Sequence, residues 1–164
     1  MSEDPAAALA RLYDLDLGED PGDLDLLLAL ATRTGGPVLE LAAGTGRLAV
    51  PIAAAGFDVT GVDLDPAMLA RARLAADGAG KAVARRVRLV EDDARTVRLA
   101  EAGSFRLAAI PLNSIFLMGG RADQAACGLP LRRAGVCCDS QTMENAWLTS
   151  RRTGRSVCWR LRPL

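Results

Sequence analysis

The stretch from Val38 to Asp65 constrains the fold of this chain more than any other. It opens with a short apolar run, Val38 to Leu41, which predicts a buried strand. A glycine turn follows at Gly44 to Gly46, then an alanine-rich helix and a second predicted strand that ends in Asp63. A strand, a glycine turn, a helix and a strand in this order form the first half of a nucleotide-binding βαβ unit.

The acidic residues around the glycine turn indicate which nucleotide binds. Asp63 follows Gly44 at about the distance at which such folds place an acid on the ribose hydroxyls. Glu40, near the carboxyl end of the first strand, would repel a pyrophosphate and attract a ligand that carries an ammonium and a sulfonium group. The pattern therefore predicts S-adenosylmethionine rather than NAD. An NAD(P)-binding oxidoreductase and a nucleotide-free α/β core with an ordinary glycine turn remain as alternatives.

Two segments of the chain, E-L-A-A-G-T-G-R and V-D-L-D-P-A-M-L-A-R-A-R, resemble the first two motifs of class I S-adenosylmethionine-dependent methyltransferases. The resemblance covers about the first two-thirds of the chain, and Ala42 departs from it because the family usually has glycine there. We expect its methyl group to narrow the turn slightly without abolishing binding. It implies an α/β, Rossmann-like fold, in which a mostly parallel sheet has helices on both faces. The C-terminal strands are expected to be incomplete, with the C-terminal part truncated or divergent.

Local patterns predict the other elements. The segment from Pro5 to Leu17 predicts a leading helix, Asp23 begins a second predicted helix, and Asp65-Pro66 predicts a helix start with an N-cap and a first-turn proline. Further along, residues 121–133 predict a helix that a glycine and a proline interrupt, and residues 134–138 predict a fifth strand. Residues 140–164 have no sustained period of either kind.

The resemblance also implies roles for particular residues. Glu40 would hold the methionine end, Asp63 the ribose and Asp93 the adenine, with Asp92 as the alternate. The full set of expected cofactor-binding residues is Glu40, Ala42, Gly44, Gly46, Asp63, Met68, Asp93 and Ala94. The alternatives without a role in cofactor binding are a solvated acidic loop at residues 91–93 and a core methionine at Met68.

Two further residues are candidates for contact with the methyl acceptor. In the family, the leading helical segment packs beside the cofactor cleft, which implies that Tyr13 reaches the methyl-transfer site. Asn113 lies in P-L-N-S, which resembles the segment where substrate and methyl group meet. The alternatives are a packed surface aromatic and a turn residue after a strand. No residue is assigned as catalytic.

The composition narrows the chemistry. The chain has no histidine, which excludes a histidine general base, a histidine triad and a histidine metal site. The four cysteines contain no CxxC pair and no zinc-ligand spacing, so no metal is expected.

The last part of the chain differs in character from the rest. Residues 1–118 have a net charge of −5, whereas residues 119–164 have +5 and contain all the cysteines and tryptophans. We therefore divide the chain into a cofactor-binding methyltransferase core, 1–118, and an atypical Arg/Cys/Trp-containing tail, 119–164. Two explanations of the tail stand: a natural short variant, or, as we favour, a slip of the reading frame near residues 119–128. Reading the gene's nucleotides in the other two frames distinguishes them.

The predicted activity is methyl transfer from S-adenosylmethionine to an O, N or C nucleophile of a small molecule. A truncated, non-catalytic cofactor-binding remnant is the alternative from another class. The acidic cofactor half argues against a nucleic-acid substrate. The acidic start, without a basic-then-apolar signal, predicts a cytoplasmic protein, and no apolar run has the length of a membrane span. The oligomeric state is left open.

Overall fold

The computed structural model describes residues 4–17, 22–101, 103–112, 114–117, 119, 135–138, 146–150 and 155–159. The helices are α1 Pro5–Leu17, α2 Gly22–Thr34, α3 Ala49–Ala54, α4 Pro66–Gly78 and α5 Lys81–Ala84, with a 3-10 turn at Ser114–Leu117. The strands are β1 Val38–Leu41, β2 Val59–Asp63, β3 Val87–Glu91, β4 Leu107–Ile110, β5 Gly135–Cys138, β6 Ala146–Ser150 and β7 Arg155–Trp159.

Five of the strands form one parallel sheet in the order β3-β2-β1-β4-β5. The order reverses between β1 and β4, and in open α/β sheets ligands bind outside the carboxyl ends of the strands at such a point. The predicted α/β, Rossmann-like fold with a mostly parallel sheet is confirmed.

The two faces of β1 build two separate parts of the core. Leu39 and Leu41 belong to a cluster with Phe105 on one face, whereas Val38 belongs to a cluster with α2 and α3 on the other. Successive side chains of a strand point to opposite faces, so Glu40 lies on the α2 and α3 side, as Val38 does. All four residues of β1 are buried, as expected for a central strand of a parallel sheet.

The start of α4 follows from its sequence. The Asp65 side chain accepts hydrogen bonds from the backbone N–H groups of Ala67 and Met68, and Pro66 occupies the first helical position. An acidic N-cap followed by proline satisfies or removes donors that the first turn cannot use. The cap confirms the predicted helix start and fixes the direction in which the chain leaves Asp63.

The N-terminal helix α1 lies against α4. Ala10 is completely buried, and Arg71 of α4 donates a hydrogen bond to the carboxylate of Asp14. The Asp14 and Arg71 side chains are 32% and 36% exposed, so this ion pair sits at the edge of the protein. The expected leading helix from Pro5 to Leu17 is confirmed.

The described part of the tail contains strands. β5 agrees with the predicted strand at residues 134–138 and pairs in parallel with β4. β6 and β7 form an antiparallel two-stranded sheet in a segment for which the sequence predicted no element. Runs of five residues are too short to show a period clearly. The helix expected at residues 121–133 lies outside the described residues.

Across the ranges described above, none of the helices combines the length and apolar character needed to cross a membrane.

Candidate functional site

The glycine turn uses backbone conformations that L-residues rarely adopt. Gly44 and Gly46 have φ values of 54° and 80°, and Ala42 has a φ of 58°. Glycine adopts this left-handed region without steric cost, whereas another residue pays roughly 1–2 kcal/mol. Ala42 therefore does more than narrow the turn by a methyl group, the effect expected from the sequence. It places a side chain at a position whose conformation favours glycine.

Asp63 joins the end of β2 to the glycine turn. Its Oδ2 accepts a hydrogen bond of 2.7 Å from the N–H of Gly44, and its Oδ1 accepts one of 2.9 Å from the N–H of Asp65. Each carboxylate oxygen has about two acceptor positions, so both can still accept a bond from a hydroxyl group. The carboxylate is thus held in place and retains the capacity to bind a pair of hydroxyls.

A cleft of about 310 Å³ opens at the carboxyl ends of the strands. We call it the strand-end cleft, and its lining residues are Ala42, Asp63, Leu64, Asp93, Ala94, Arg95, Ser114 and Leu117. It brings together four of the predicted cofactor-binding residues, one or more from the end of each of β1, β2 and β3. Leu64 and Leu117 are 65% and 87% exposed, so the cleft combines carboxylates with two apolar side chains that solvent still reaches.

The carboxylate of Asp93 already has a cationic partner. The guanidinium and the backbone N–H of Arg95 both donate to it, and the hydrogen bonds to Arg95 lower the pKa of Asp93 to about 2. The side chain of Asp92 turns back to accept from the N–H of Asp93 at 2.7 Å. Of these two acids, Asp93 is the one that lines the cleft.

A second group of polar residues surrounds Arg47, which follows the glycine turn directly. We call it the Arg47 cluster, and its members are Tyr13 of α1, Asp23 of α2, Glu40 of β1 and Arg47. Arg47 donates to both oxygens of Asp23, with Nη1 to Oδ1 at 2.7 Å and Nη2 to Oδ2. The two side chains are only 8% and 4% exposed. Burial opposes the charge of Arg47, but the hydrogen bonds to Asp23 raise its pKa above the ordinary value.

Glu40 is the most enclosed acid of this cluster, with 2% of its surface exposed. Its carboxyl group accepts a hydrogen bond from the N–H of Ala49, at the start of α3. Oε2 has no hydrogen-bond partner among the described residues. Burial raises the pKa of Glu40 to about 8; Arg47 opposes this shift, and Asp23 and Asp63 add to it. Glu40 therefore belongs to the strand that leads into the glycine turn, as expected, but it is buried and is not among the residues that line the strand-end cleft.

Tyr13 covers the glycine turn. A Cβ atom built on Gly44 would lie 3.9 Å from Cε1 of the Tyr13 ring, so the ring stands over this glycine. The Tyr13 hydroxyl hydrogen-bonds to Arg47, and burial raises the pKa of Tyr13. The phenol is therefore neutral at physiological pH. Its position beside the turn fits the expected substrate contact as well as a packing role.

Other predicted site residues are not among those that line the strand-end cleft. Met68 is half-buried in the first turn of α4, and Gly46 is buried. Asn113 lies outside the described residues.

Sequence reasoning missed several residues of the site. Asp23 was read only as a helix start and Arg47 only as part of a motif, because a pair separated by 24 positions has no local signal. Leu64 directly follows β2, and Arg95, Ser114 and Leu117 lie in the segments that follow β3 and β4. That position was the signal that could have indicated them. Among the described residues, no group of three or more His, Cys, Asp or Glu side chains has the arrangement to hold a metal ion.

A family model described as a methyltransferase domain matches residues 38–126. The match begins with β1, includes every residue of the strand-end cleft and ends inside the interval in which a slip of the reading frame was predicted. Uncharacterized proteins of Mycobacterium tuberculosis and Mycobacterium bovis are 48% identical over 48 residues, which is 29% of this chain and 18% of those proteins.

Solved structures extend the similarity over most of the chain. The glycopeptide N-methyltransferase MtfA, complexed with S-adenosyl-L-methionine, is 30% identical, with a TM-score of 0.61 over 86% of this chain and 66% of MtfA. A methyltransferase from Geobacter sulfurreducens in complex with S-adenosyl-L-homocysteine is 25% identical, with a TM-score of 0.61 over 78% of this chain and 54% of that protein. A putative methyltransferase from Methanococcus maripaludis, 16% identical with a TM-score of 0.66, shares the fold. The matched part of the chain covers 54% to 67% of the length of these three proteins and 18% of the mycobacterial relatives.

Proposed function

The chain belongs to the class I S-adenosylmethionine-dependent methyltransferases, whose methyl donor is its cofactor, and from this premise we propose that it methylates a small molecule. The acceptor atom is a nucleophilic oxygen, nitrogen or carbon. The observation that carries the proposal is the cleft at the ends of β1, β2 and β3, which lies inside the matched segment and combines Asp63 with the glycine turn.

The residues present suit this cofactor. Asp63 has acceptor capacity for the two ribose hydroxyls, and the exposed leucines Leu64 and Leu117 offer apolar surface to the adenine. Glu40 has a buried oxygen without a partner in the described residues, which suits an ammonium group. A pyrophosphate, by contrast, would lie near the acidic residues Glu40 and Asp63, and like charges disfavour it.

We assign the residues as follows. Glu40 receives the ammonium of the methionine end, directly or through water, and the backbone of Gly44 and Gly46 lines that end. Asp63 binds the ribose, and Asp93 the adenine amino group. Ala42 and Ala94 line the same cleft, and Met68 approaches the adenine from α4.

The adenine role of Asp93 follows from its position in the cleft. Its carboxylate has several acceptor positions, and Arg95 leaves some of them available for an amino group. The charge-assisted bonds from Arg95 also keep this carboxylate in one orientation.

The cofactor supplies a methyl group that is bound to a sulfonium sulfur, which is already a good leaving group. The contribution of the protein is therefore alignment and exclusion of water. Tyr13 stands over Gly44 and closes the methionine end on one side. The chain has no histidine, and the raised pKa of Tyr13 leaves its phenol neutral, so the proton of the acceptor leaves to a carboxylate or to another group of the substrate itself.

A small-molecule acceptor is the finer part of the proposal. MtfA is a glycopeptide N-methyltransferase, and its similarity supports an acceptor of comparable class. Residues 1–118 carry a net charge of −5, which disfavours a polyanionic substrate such as nucleic acid. Tyr13 and Asn113 are the proposed acceptor contacts.

Calorimetric titration with S-adenosylhomocysteine and, separately, with NADH tests the cofactor assignment. We expect saturable binding of S-adenosylhomocysteine and none of NADH, and binding of NADH alone would overturn the proposal. Release of S-adenosylhomocysteine from the methyl donor is then measured with panels of small amines, phenols and carbon acids. Turnover with one class supports the activity, whereas binding without turnover on any panel favours a non-catalytic cofactor-binding protein.

A further inference from the structure

The acids around the glycine turn differ in how their oxygens are used. Both oxygens of Asp23 accept from Arg47, and both oxygens of Asp63 accept backbone N–H bonds. Glu40 accepts the N–H of Ala49, and its Oε2 has no partner among the described residues. Among these three acids, Glu40 is thus the one whose negative charge hydrogen bonds stabilise least.

At the positions that pair with Glu40, the neighbouring strands supply no polar side chain. Its partners across the sheet are Gly61 on β2 and Ala109 on β4, neither of which has a polar side chain. Within the part of the chain that the structure describes, the charged and titratable groups that face it are Tyr13 from α1, Asp23 from α2, Arg47 from the loop and Asp63 from β2.

One cation therefore serves several acids. Arg47 is committed to Asp23 by two hydrogen bonds, so its attraction for Glu40 is shared. An ionised carboxylate that is buried without a matched partner is strongly disfavoured, and such a group takes up a proton instead. In the absence of a cation at Oε2, the neutral carboxyl group is the favoured form, and burial accordingly raises the pKa of Glu40 to about 8.

We propose that binding of the cofactor's amino-acid end releases one proton from Glu40 to the solvent. The carboxyl group is neutral before binding, and the arriving ammonium group pairs with the carboxylate that forms. The ammonium keeps its own proton and the O–H proton of Glu40 passes to buffer, so charge and protons balance. This inference rests on the proposed function, because it takes the ligand to be an adenosyl amino acid.

Proton release has a direct thermodynamic signature. Below the pKa of the free protein, the dissociation constant of S-adenosylhomocysteine should fall about tenfold for each unit of rising pH. Titrations at pH 6.5 in phosphate and in Tris should differ in apparent enthalpy by the buffer term for release of about one proton. At this pH the α-amino group of the ligand is charged.

A second ligand and two variants test whether the released proton comes from Glu40. 5′-Methylthioadenosine has the adenosine and the thioether but no ammonium group, so its binding should release no proton and should not depend on pH. Glu40→Gln mimics the neutral carboxyl group, and its binding of S-adenosylhomocysteine should be weaker and free of the buffer dependence. Glu91→Gln is the matched control, because Glu91 is an exposed acid at the end of β3, and it should behave as the wild type.

The outcomes separate this inference from the proposed function. If the wild type binds neither S-adenosylhomocysteine nor 5′-methylthioadenosine, the proposed function fails. Binding of S-adenosylhomocysteine with the same apparent enthalpy in both buffers overturns the proton release alone. Proton release that persists in Glu40→Gln, or that also accompanies 5′-methylthioadenosine, assigns the proton to another group and equally overturns it.

Discussion

Gly46 lies so close to Ala72 of α4 that a Cβ atom on the glycine would be 3.1 Å from the Cβ and 3.3 Å from the Cα of the alanine. The same added atom would be 3.3 Å from a methyl group of Val50. Few real Cβ atoms have contacts this short, and one of these neighbours is backbone that cannot rotate away. Gly46 thus combines a left-handed conformation with contact between the turn and α4.

Gly46→Ala should destabilise the protein by about 2 kcal/mol or more, because strain of the left-handed conformation adds to overpacking against α4. Urea denaturation followed by circular dichroism measures the change. Gly78→Ala is the control, since no atom lies within 4 Å of its added Cβ and its φ is not positive. This control should be neutral or slightly stabilising. Equal losses in the two variants would contradict the packing argument.

Ala42→Gly should stabilise the protein by about 0.5–1 kcal/mol. The left-handed φ of 58° costs alanine conformational energy, and the extra entropy of glycine in the unfolded chain offsets only part of the gain. Ala55→Gly is a matched control, because Ala55 has an ordinary φ of −73° at the end of α3 and should lose stability. Thermal unfolding of both variants checks the opposite signs, and a loss of stability in Ala42→Gly would refute the strain at this position.

Asp23→Asn should lower the free energy of unfolding by roughly 3 kcal/mol, because it leaves the charge of Arg47 enclosed without its carboxylate. Asp58→Asn removes the partner of Arg86 in a pair whose side chains are 45% and 72% exposed. Exposed pairs contribute about 0–1 kcal/mol, so this second variant should be close to wild type. If chemical denaturation gave similar losses in the free energy of unfolding for both variants, the buried Arg47 pair would contribute no more to stability than the exposed Arg86 pair.

Asp63→Asn should weaken binding of S-adenosylhomocysteine about ten- to a hundredfold, because hydrogen bonds to a charged acceptor contribute about 1.5–3 kcal/mol. Calorimetry gives the dissociation constant, and circular dichroism confirms that the variant folds. Asp58→Asn serves again as the control, since Asp58 is an exposed acid at the other end of β2. An unchanged dissociation constant in Asp63→Asn would exclude the assignment of this carboxylate to the ribose.

The stability of the cofactor-free protein should fall as pH rises from about 4.5 to about 8. Folding raises the pKa of Glu40, so within this window the folded state holds a proton that the unfolded state has lost. Stability from this group is complete below the unfolded pKa and is lost as pH passes through the folded pKa. Thermal midpoints of the wild type, Glu40→Gln and Glu91→Gln measure the effect. The slope should be shallower in Glu40→Gln alone, and identical slopes in all variants would rule out Glu40 as its source.

Local patterns were sufficient to predict most of the fold. The apolar run of β1, the glycine turn and the Asp65-Pro66 cap each encode their structure within a few residues, and each prediction is confirmed. Short strands in the tail were missed because five residues give too little periodicity.

The candidate site could be predicted less completely, because its contacts join residues far apart in the chain. The acids at strand ends were identified from position, and Asp63, Asp93 and Ala94 do line the cleft. That Arg47 pairs with Asp23, and that Glu40 is enclosed rather than open to the cleft, depends on how α1 and α2 pack. The roles assigned to individual residues stay predictions, as does the division at residue 118. The slip of the reading frame also stays a prediction; the family match that ends at residue 126 is consistent with it.

The attachment of α1 has a consequence for the conditions under which the protein is handled. The ion pair between Asp14 and Arg71 is about one-third exposed, and dissolved salt weakens such pairs, whereas the enclosed pair of Arg47 and Asp23 is shielded from it. Raising the ionic strength would therefore loosen the outer hold on α1 first. Because α1 carries the Tyr13 ring that covers Gly44, the accessibility of the glycine turn should depend on the salt concentration of the solution.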